Sequence, residues 1–213
     1  MPSSNSLHFK FRSLVLFSLI LLFIGACKNR ALKKEVSDQL NINIDLINEE
    51  SPVILGEYIY NPDLVANIYT NEGDLISPKW SLRTNALQML EVIGAVHQEG
   101  LNPEDYHFSA IAMLADKIAA SEIPDAEEVA QFELLLTDAF LQLSTHLSRG
   151  KVDAETIDPQ WKAIHRDLNI DWAYFMDSTL LRKDIIDAMH NLTPNHREYN
   201  NLKKALIKYQ QIL

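Results

Sequence analysis

Apolar residues recur every three or four positions between Asp125 and Gly150, and this run constrains the fold more than any other feature of the sequence. Asp125 followed three residues later by Glu128 resembles a helix capping box, and Arg149-Gly150 is typical of a helix end. The apolar stripe is wide enough to predict a central helix that other helices surround. Its members are Val129, Phe132, Leu135, Leu136, Ala139, Phe140, Leu143 and Leu147.

The segments on either side also carry helix signals, and none shows the sustained alternation of a strand. The 6 Gly and 8 Pro residues are too few for a turn-dense β-sandwich. The predicted fold class is therefore all-α, a compact multi-helix domain. Further helices are predicted from Asn61-Pro62, from Ser81 to Gly100, over Ser109–Ala120, from a cap at Ser178, and over Arg197–Leu213, the last with Leu202, Ala205, Leu206 and Tyr209 on its apolar face.

The charge balance and the cysteine count exclude several classes of partner and site. The 213 residues include 19 Lys and Arg against 29 Asp and Glu, for a formal net charge of −10. An acidic surface repels phosphate backbones, so nucleic acid is not an expected partner. A single cysteine excludes an intrachain disulfide and a multi-cysteine zinc site. No two of the 7 histidines are four residues apart, and we predict neither a metal site nor a cofactor.

The first 26 residues have the pattern of a secretory signal peptide. Lys10 and Arg12 precede an apolar run that is too short to span a bilayer as a helix. The run ends in Ile24-Gly25-Ala26-Cys27, which resembles a bacterial lipobox. This resemblance implies cleavage before Cys27, lipid attachment to it, and a location in the cell envelope, facing the periplasm, on either the inner or the outer membrane. The alternative is a general secretory peptide with an incidental cysteine.

Residues 27–55 are predicted to be a lipid-anchored tether. The segment has few aromatic residues and several charges, so we expect a mobile spacer between the membrane and the domain. A brief alternation of Ile42, Ile44 and Leu46 also permits a short strand there.

Two kinds of polar or aromatic residue leave alternatives open. Asp138 lies within the apolar stripe, where it is either a functional buried acid or, as we favour, a structural residue that caps a neighbouring loop or pairs with a cation such as Arg83. The tryptophans at 80, 161 and 172 each lie near a predicted helix start. They either stack on a sugar or, as we favour, pack loops onto the core with the indole N–H bonded to a backbone carbonyl.

Five short motifs follow one another in order between Tyr58 and Leu213. They are Asn67-Ile68-Tyr69 with Pro78-Lys79-Trp80; Gly100-Leu101-Asn102-Pro103-Glu104-Asp105-Tyr106-His107; Glu133 to Phe140; His146-Leu147 with Gly150-Lys151-Val152 and Pro159-x-Trp161; and Leu192-x-Pro194 with Tyr199, Leu202, Ala205 and Leu206. Together they resemble the N-terminal part of large murein L,D-transpeptidases, the YcbB-like branch of the YkuD-type family.

This resemblance implies that residues 56–213 form a helical scaffold domain, truncated at its C-terminal end. In that family the scaffold is not catalytic, and a separate domain makes 3-3 cross-links in peptidoglycan through a cysteine in a Ser/Thr-His-Gly-Cys-x-Arg motif. Here Ser144-Thr145-His146 is followed by Leu147-Ser148, and the lipobox contains the only cysteine. We therefore expect no catalytic residue and no transpeptidase activity in this chain alone.

The motif residues are expected to hold the fold, with Arg149 and Lys151 as candidate surface contacts. Besides the membrane, peptidoglycan or the missing catalytic domain are the partners that the resemblance implies. The alternative is a stand-alone envelope lipoprotein whose helical domain binds murein or a cell-wall synthase. The expected structural positions are Tyr69, Trp80, Gly100, Leu101, Pro103, Tyr106, His107, Thr137, Asp138, Phe140, His146, Gly150, Trp161, Pro194 and Tyr199.

Overall fold

The structure is a computed structural model, and it describes residues 31–48, 51–70, 76–80, 83–152 and 170–212. The predicted signal peptide, the lipobox cysteine and Trp161 lie outside these residues. No helix in the described part of the chain is both long enough and apolar enough to cross a membrane.

The described elements are helical apart from one small hairpin, which confirms the all-α prediction. Strands β1 and β2 pair antiparallel, with Val53 opposite Tyr58. In chain order the elements are α1 (residues 31–48), β1 (Val53–Ile54), β2 (Glu57–Tyr58), α2 (Pro62–Thr70), α3 (Arg83–Ala95), a 3-10 turn (Val96–Glu99), a second 3-10 turn (Pro103–Tyr106), α4 (Phe108–Ala120), α5 (Ala126–Arg149), α6 (Trp172–Arg182), α7 (Ile185–Leu192) and α8 (Arg197–Gln210).

Helix α5 is the central element, as its apolar stripe predicts. Asp125 caps its start by accepting hydrogen bonds from the backbone N–H groups of Glu127 and Glu128. Gly150 ends it with a φ of 89°, a conformation that side chains rarely adopt. Helices α2, α3, α4, α6 and α7 all pack against α5, and this places its middle at the centre of the hydrophobic core.

The prediction of a mobile tether is wrong for residues 31–48, which form helix α1. Val36, Leu40, Ile44 and Ile47 repeat at helical spacing, and all four are buried in the same core as α5. In a strand, Ile42 and Ile44 would lie on the same face. In the structure Ile44 is buried, whereas Ile42 points to solvent with 50% of its surface exposed. A helical period of buried residues therefore outweighs the short two-residue period.

Two predicted details in the C-terminal third also need correction. Ser178 does not cap a helix but lies inside α6, which starts after Asp171, whose carboxylate accepts a hydrogen bond from the N–H of Tyr174. In α8 no side chain is fully buried, although an apolar face is predicted there, and Leu202 is 72% exposed. Helix α8 instead packs on the first 3-10 turn, where Lys203 donates to Glu99 and the Gln210 amide donates to the carbonyl of His97.

Candidate functional site

Glu133 is the centre of a buried polar cluster on the face of α5 that meets α2. Its carboxylate accepts hydrogen bonds from the backbone N–H groups of Lys79 at 2.7 Å and Trp80 at 3.0 Å. The hydroxyl of Tyr69 lies 2.8 Å from that of Thr137, which also accepts the indole N–H of Trp80 at 2.9 Å. These contacts fix the segment before α3 against α5.

The environment of this cluster changes the acid–base behaviour of two members. Burial raises the pKa of Glu133 to about 7, although the backbone N–H groups of Trp80 and Lys79 favour its charged form. Burial and the nearby Glu133 carboxylate raise the pKa of Tyr69 well above its usual value. The tyrosine therefore remains neutral and available as a hydrogen-bond partner at ordinary pH.

Asp138 joins the hairpin and the loop before α2 to the centre of α5. It is fully buried and accepts hydrogen bonds from the backbone N–H groups of Tyr60 and Asn61. It also lies 2.9 Å from Nε2 of His107, whose Nδ1 lies 3.0 Å from the Glu57 carboxylate. Asp138 therefore binds the backbone of the loop before α2, while the side chain of Arg83 lies outside the described residues.

His107 lies between the carboxylates of Asp138 and Glu57. Burial alone lowers a histidine pKa, but the hydrogen bonds to Asp138 and Glu57 outweigh burial and raise the pKa of His107. Both ring nitrogens face carboxylate oxygens, and the imidazolium form, in which both nitrogens are donors, suits this geometry. His107 has a φ of 59°, so its backbone is in the left-handed region where α4 begins.

A surface cleft of about 440 Å³ opens where α5 ends, and we call it the end cleft. Its walls come from the end of α5, the first 3-10 turn and the start of α8. Seven of its eleven lining residues are predicted signature or contact positions. These seven are Leu101, His146, Arg149, Gly150, Lys151, Pro194 and Tyr199, and the remaining lining residues are Glu99, Leu147, Ser148 and His196.

A smaller cleft of about 330 Å³ adjoins the end cleft, because His146 and Lys151 line both. Nδ1 of His146 is 2.9 Å from the hydroxyl of Tyr106, and the ammonium of Lys151 pairs with Asp105. Burial and the nearby Lys151 lower the pKa of His146. The imidazole is therefore neutral at ordinary pH, and the ammonium carries the positive charge between the clefts.

The opposite wall of the end cleft is held by Glu99. Its carboxylate accepts hydrogen bonds from the Tyr199 hydroxyl and the Lys203 ammonium. Burial and the neighbouring Glu99 raise the pKa of Tyr199, so its hydroxyl keeps its proton as the donor. This pair of contacts attaches α8 to the domain and gives the cleft a fixed side.

The charged groups at the end cleft suit the binding of a ligand. Arg149 and Lys151 are exposed cations, and beside them lie His146 and Tyr199, which are bonded to Tyr106 and Glu99. Such a set suits an anionic group carried by a polar ligand. Among the described residues, no group of three or more histidine, cysteine or acidic side chains is placed to hold a metal ion.

The predicted positions form two groups in space: one is buried around α5, and the other lines the end cleft. The buried positions, which include Trp80 with 3% of its surface exposed, hold α5 to its neighbours. Trp80 thus lies in the core, and its indole N–H donates to the hydroxyl of Thr137 and not to the expected backbone carbonyl. Trp172 is partly buried and meets the ring of Phe175 edge-on.

Three carboxylates that organise these groups are not among the predicted site positions, although one of them begins the third sequence motif. They are Glu57, Glu99 and Glu133. Glu133 had a visible signal, since it lies among the apolar residues of the α5 stripe, as Asp138 does. Glu57 and Glu99 had none, because each meets a partner at least 50 residues away in the chain.

Comparison with known families gives one match. A family profile described as "Scaffold domain" matches residues 63–206, well over half of the chain. This range contains every predicted signature position and all residues of the end cleft. No curated protein and no solved structure gives a significant match.

Proposed function

The chain belongs to the Scaffold domain family, and on that premise we propose that it is the non-catalytic scaffold portion of a cell-envelope L,D-transpeptidase that takes part in 3-3 cross-linking of peptidoglycan. The observation that carries this proposal is the burial and hydrogen bonding of the signature residues. Tyr69, Trp80, Thr137 and Asp138 are buried and bonded to other parts of the fold. Their polar groups are therefore engaged in hydrogen bonds within the fold.

The sequence supports a role outside catalysis. Acyl transfer by this class of enzyme needs a thiolate, a base beside it and donors for the oxyanion. The only cysteine in the 213 residues is Cys27, which belongs to the lipobox. We therefore propose that the catalytic cysteine domain acts on the scaffold from outside these residues.

We further propose that Cys27 carries lipid and holds the domain at the periplasmic side of a bacterial membrane. The apolar run and Ile24-Gly25-Ala26-Cys27 support this assignment. Labelled palmitate fed to expressing cells should enter the wild-type chain, and Cys27→Ser should abolish labelling and leave the uncleaved precursor. A wild-type chain that takes up no label would contradict the lipid anchor.

A second candidate function rests on the end cleft. Arg149 and Lys151 lie at its edge with exposed cationic groups, and the stem peptides of murein carry carboxylates. A stand-alone lipoprotein that binds murein would use this surface. Lys151 is paired with Asp105 at a partly exposed position, where an ion pair contributes at most about 1 kcal/mol.

The double variant Arg149→Ala with Lys151→Ala separates the two functions. Because both side chains are exposed, its melting temperature should stay within a few degrees of the wild type. A pure scaffold should bind isolated sacculi weakly and equally in both forms. Strong binding by the wild type that disappears in the double variant would favour the murein-binding function.

A further inference from the structure

We propose that Lys33 and Lys34, in the first described turn of α1, form a contact surface for the anionic phospholipid head groups of the bilayer that holds the anchor. This inference rests on the proposed lipid attachment at Cys27. It also replaces the expected spacer with a short connection. The observations that carry it are the packing of α1 and the distribution of charge along the chain.

Helix α1 is part of the folded domain and not a flexible linker in front of it. Val36 and Leu40 are buried in the common core with 2% and 0% of their surfaces exposed, and the hydroxyl of Ser37 donates to the carbonyl of Ile76. The side chain of Leu32 also packs against this core. The N-terminal end of α1 therefore cannot move independently of the domain.

Very little chain separates this fixed helix from the lipidated cysteine. Only residues 28–30 lie between Cys27 and Ala31. Even a fully extended chain would place these two Cα atoms no more than about 14 Å apart. Lys33 and Lys34 follow within one helical turn, and both are exposed. A lipid at Cys27 thus keeps their ammonium groups within reach of the head groups.

The N-terminal segment is positively charged, whereas the rest of the chain is negatively charged. Residues 28–34 read Lys-Asn-Arg-Ala-Leu-Lys-Lys, with four cations and no acid. No acid occurs before residue 35, and six of the 19 cations precede it. Residues 35–213 therefore hold 13 cations against 29 acids, a formal charge of −16.

Because of this charge asymmetry, an anionic bilayer would attract only the N-terminal end of the chain. Basic residues next to a membrane bind acidic lipids over a range of about one Debye length, roughly 8 Å at physiological salt. The acidic remainder is repelled by the same surface. A basic segment beside an acyl anchor also supplies the second signal that makes membrane attachment stable.

The test uses the lipidated full chain reconstituted into vesicles. Acylation leaves no free thiol at Cys27, so Ala31→Cys gives a single site for an environment-sensitive dye. Vesicles of phosphatidylcholine, with or without phosphatidylglycerol, carry a nitroxide on a fraction of their head groups. Quenching of the dye at residue 31 should be greater with phosphatidylglycerol, and the excess should disappear at high salt.

Two charge reversals of equal size provide the variant and its control. Lys33→Glu with Lys34→Glu should remove at least about half of the excess quenching, since each cation contributes separately to lipid attraction. Lys204→Glu with Lys208→Glu changes the charge of the chain by the same amount on α8, where both lysines are exposed. This control should leave the excess unchanged.

Failure of this inference is distinguishable from failure of the anchor. If the wild-type chain incorporates palmitate but quenching is the same in both kinds of vesicle, the lipid contact is wrong and the anchor stands. Equal losses from the two charge reversals would also overturn it, because they would show a general charge effect. A chain that takes up no palmitate overturns both proposals.

Discussion

At the scale of single residues, two carboxylates of α5 bind neighbouring segments of the chain. Glu133 fixes the segment at Lys79 and Trp80, and Asp138 fixes the loop at Tyr60 and Asn61. Each carboxylate satisfies backbone N–H groups that would otherwise be buried without an acceptor. These two acids therefore connect the central helix α5 to the neighbouring loop segments.

Glu133 makes the stability of the domain depend on pH. Its folded-state pKa of about 7 lies above the usual 4.5, so between these values the folded chain holds a proton that the unfolded chain has released. The free energy of unfolding should therefore fall as pH rises from 4.5 to 7, by roughly 3 kcal/mol at about 1.4 kcal/mol per pKa unit. Urea denaturation at several pH values measures this fall.

The matched variant for this prediction is Glu133→Gln, which keeps an acceptor oxygen and loses the titrating proton. Its stability should vary less over the same interval, by the amount that Glu133 contributes. His107, whose pKa is also raised, shifts stability in the same direction at higher pH, and the difference between the two curves removes its effect. Curves of identical slope for the two proteins would show that Glu133 does not titrate in this window.

The role of Asp138 was predictable from sequence, while its partners were not. An acid inside an apolar helical stripe has to find a donor or lose stability, so a structural bond was the simplest expectation. That His107 supplies the donor depends on a distance of 31 residues along the chain and on the position of the second 3-10 turn. Such long-range pairing is set by the whole fold and leaves no local pattern.

At the scale of elements, helix α1 is where the sequence interpretation failed. Its buried residues are spaced four, four and three apart, but exposed Ile42 and Leu46 lie between them and obscure the period. Helix α5 was predictable at both ends because its signals are local: an Asp cap, a continuous stripe and a terminal glycine. The start of α6 was missed because Asp171 caps it ahead of the expected Ser178.

The packing of α1 predicts different outcomes for two neighbouring truncations. Leu40→Ala should lower the free energy of unfolding by about 2–5 kcal/mol, because the residue is fully buried and leaves a cavity. Ile42→Ala, on the exposed face of the same helix, should change it by less than about 0.5 kcal/mol. Chemical denaturation measures both values. Equal and small effects would mean that residues 31–48 form a loose tether after all.

At the scale of the whole molecule, the two ends of α5 lie in different surroundings. Its start, near Asp125, shares a surface cleft with Glu35 and Gln39 of α1, whose first residues follow the proposed anchor. Its end forms the end cleft, and its 24 residues make a strut about 36 Å long. The part that we propose to lie near the membrane and the candidate contact surface are thus at opposite ends of the central helix.

We propose that the signature residues hold a scaffold and carry out no acyl transfer. Intact mass spectrometry of the purified chain after incubation with a carbapenem tests it most directly, since an activated cysteine would be acylated by this inhibitor. The chain and its Cys27→Ser variant should both keep their original masses. A covalent adduct on the chain at the mass of the carbapenem would contradict this proposal.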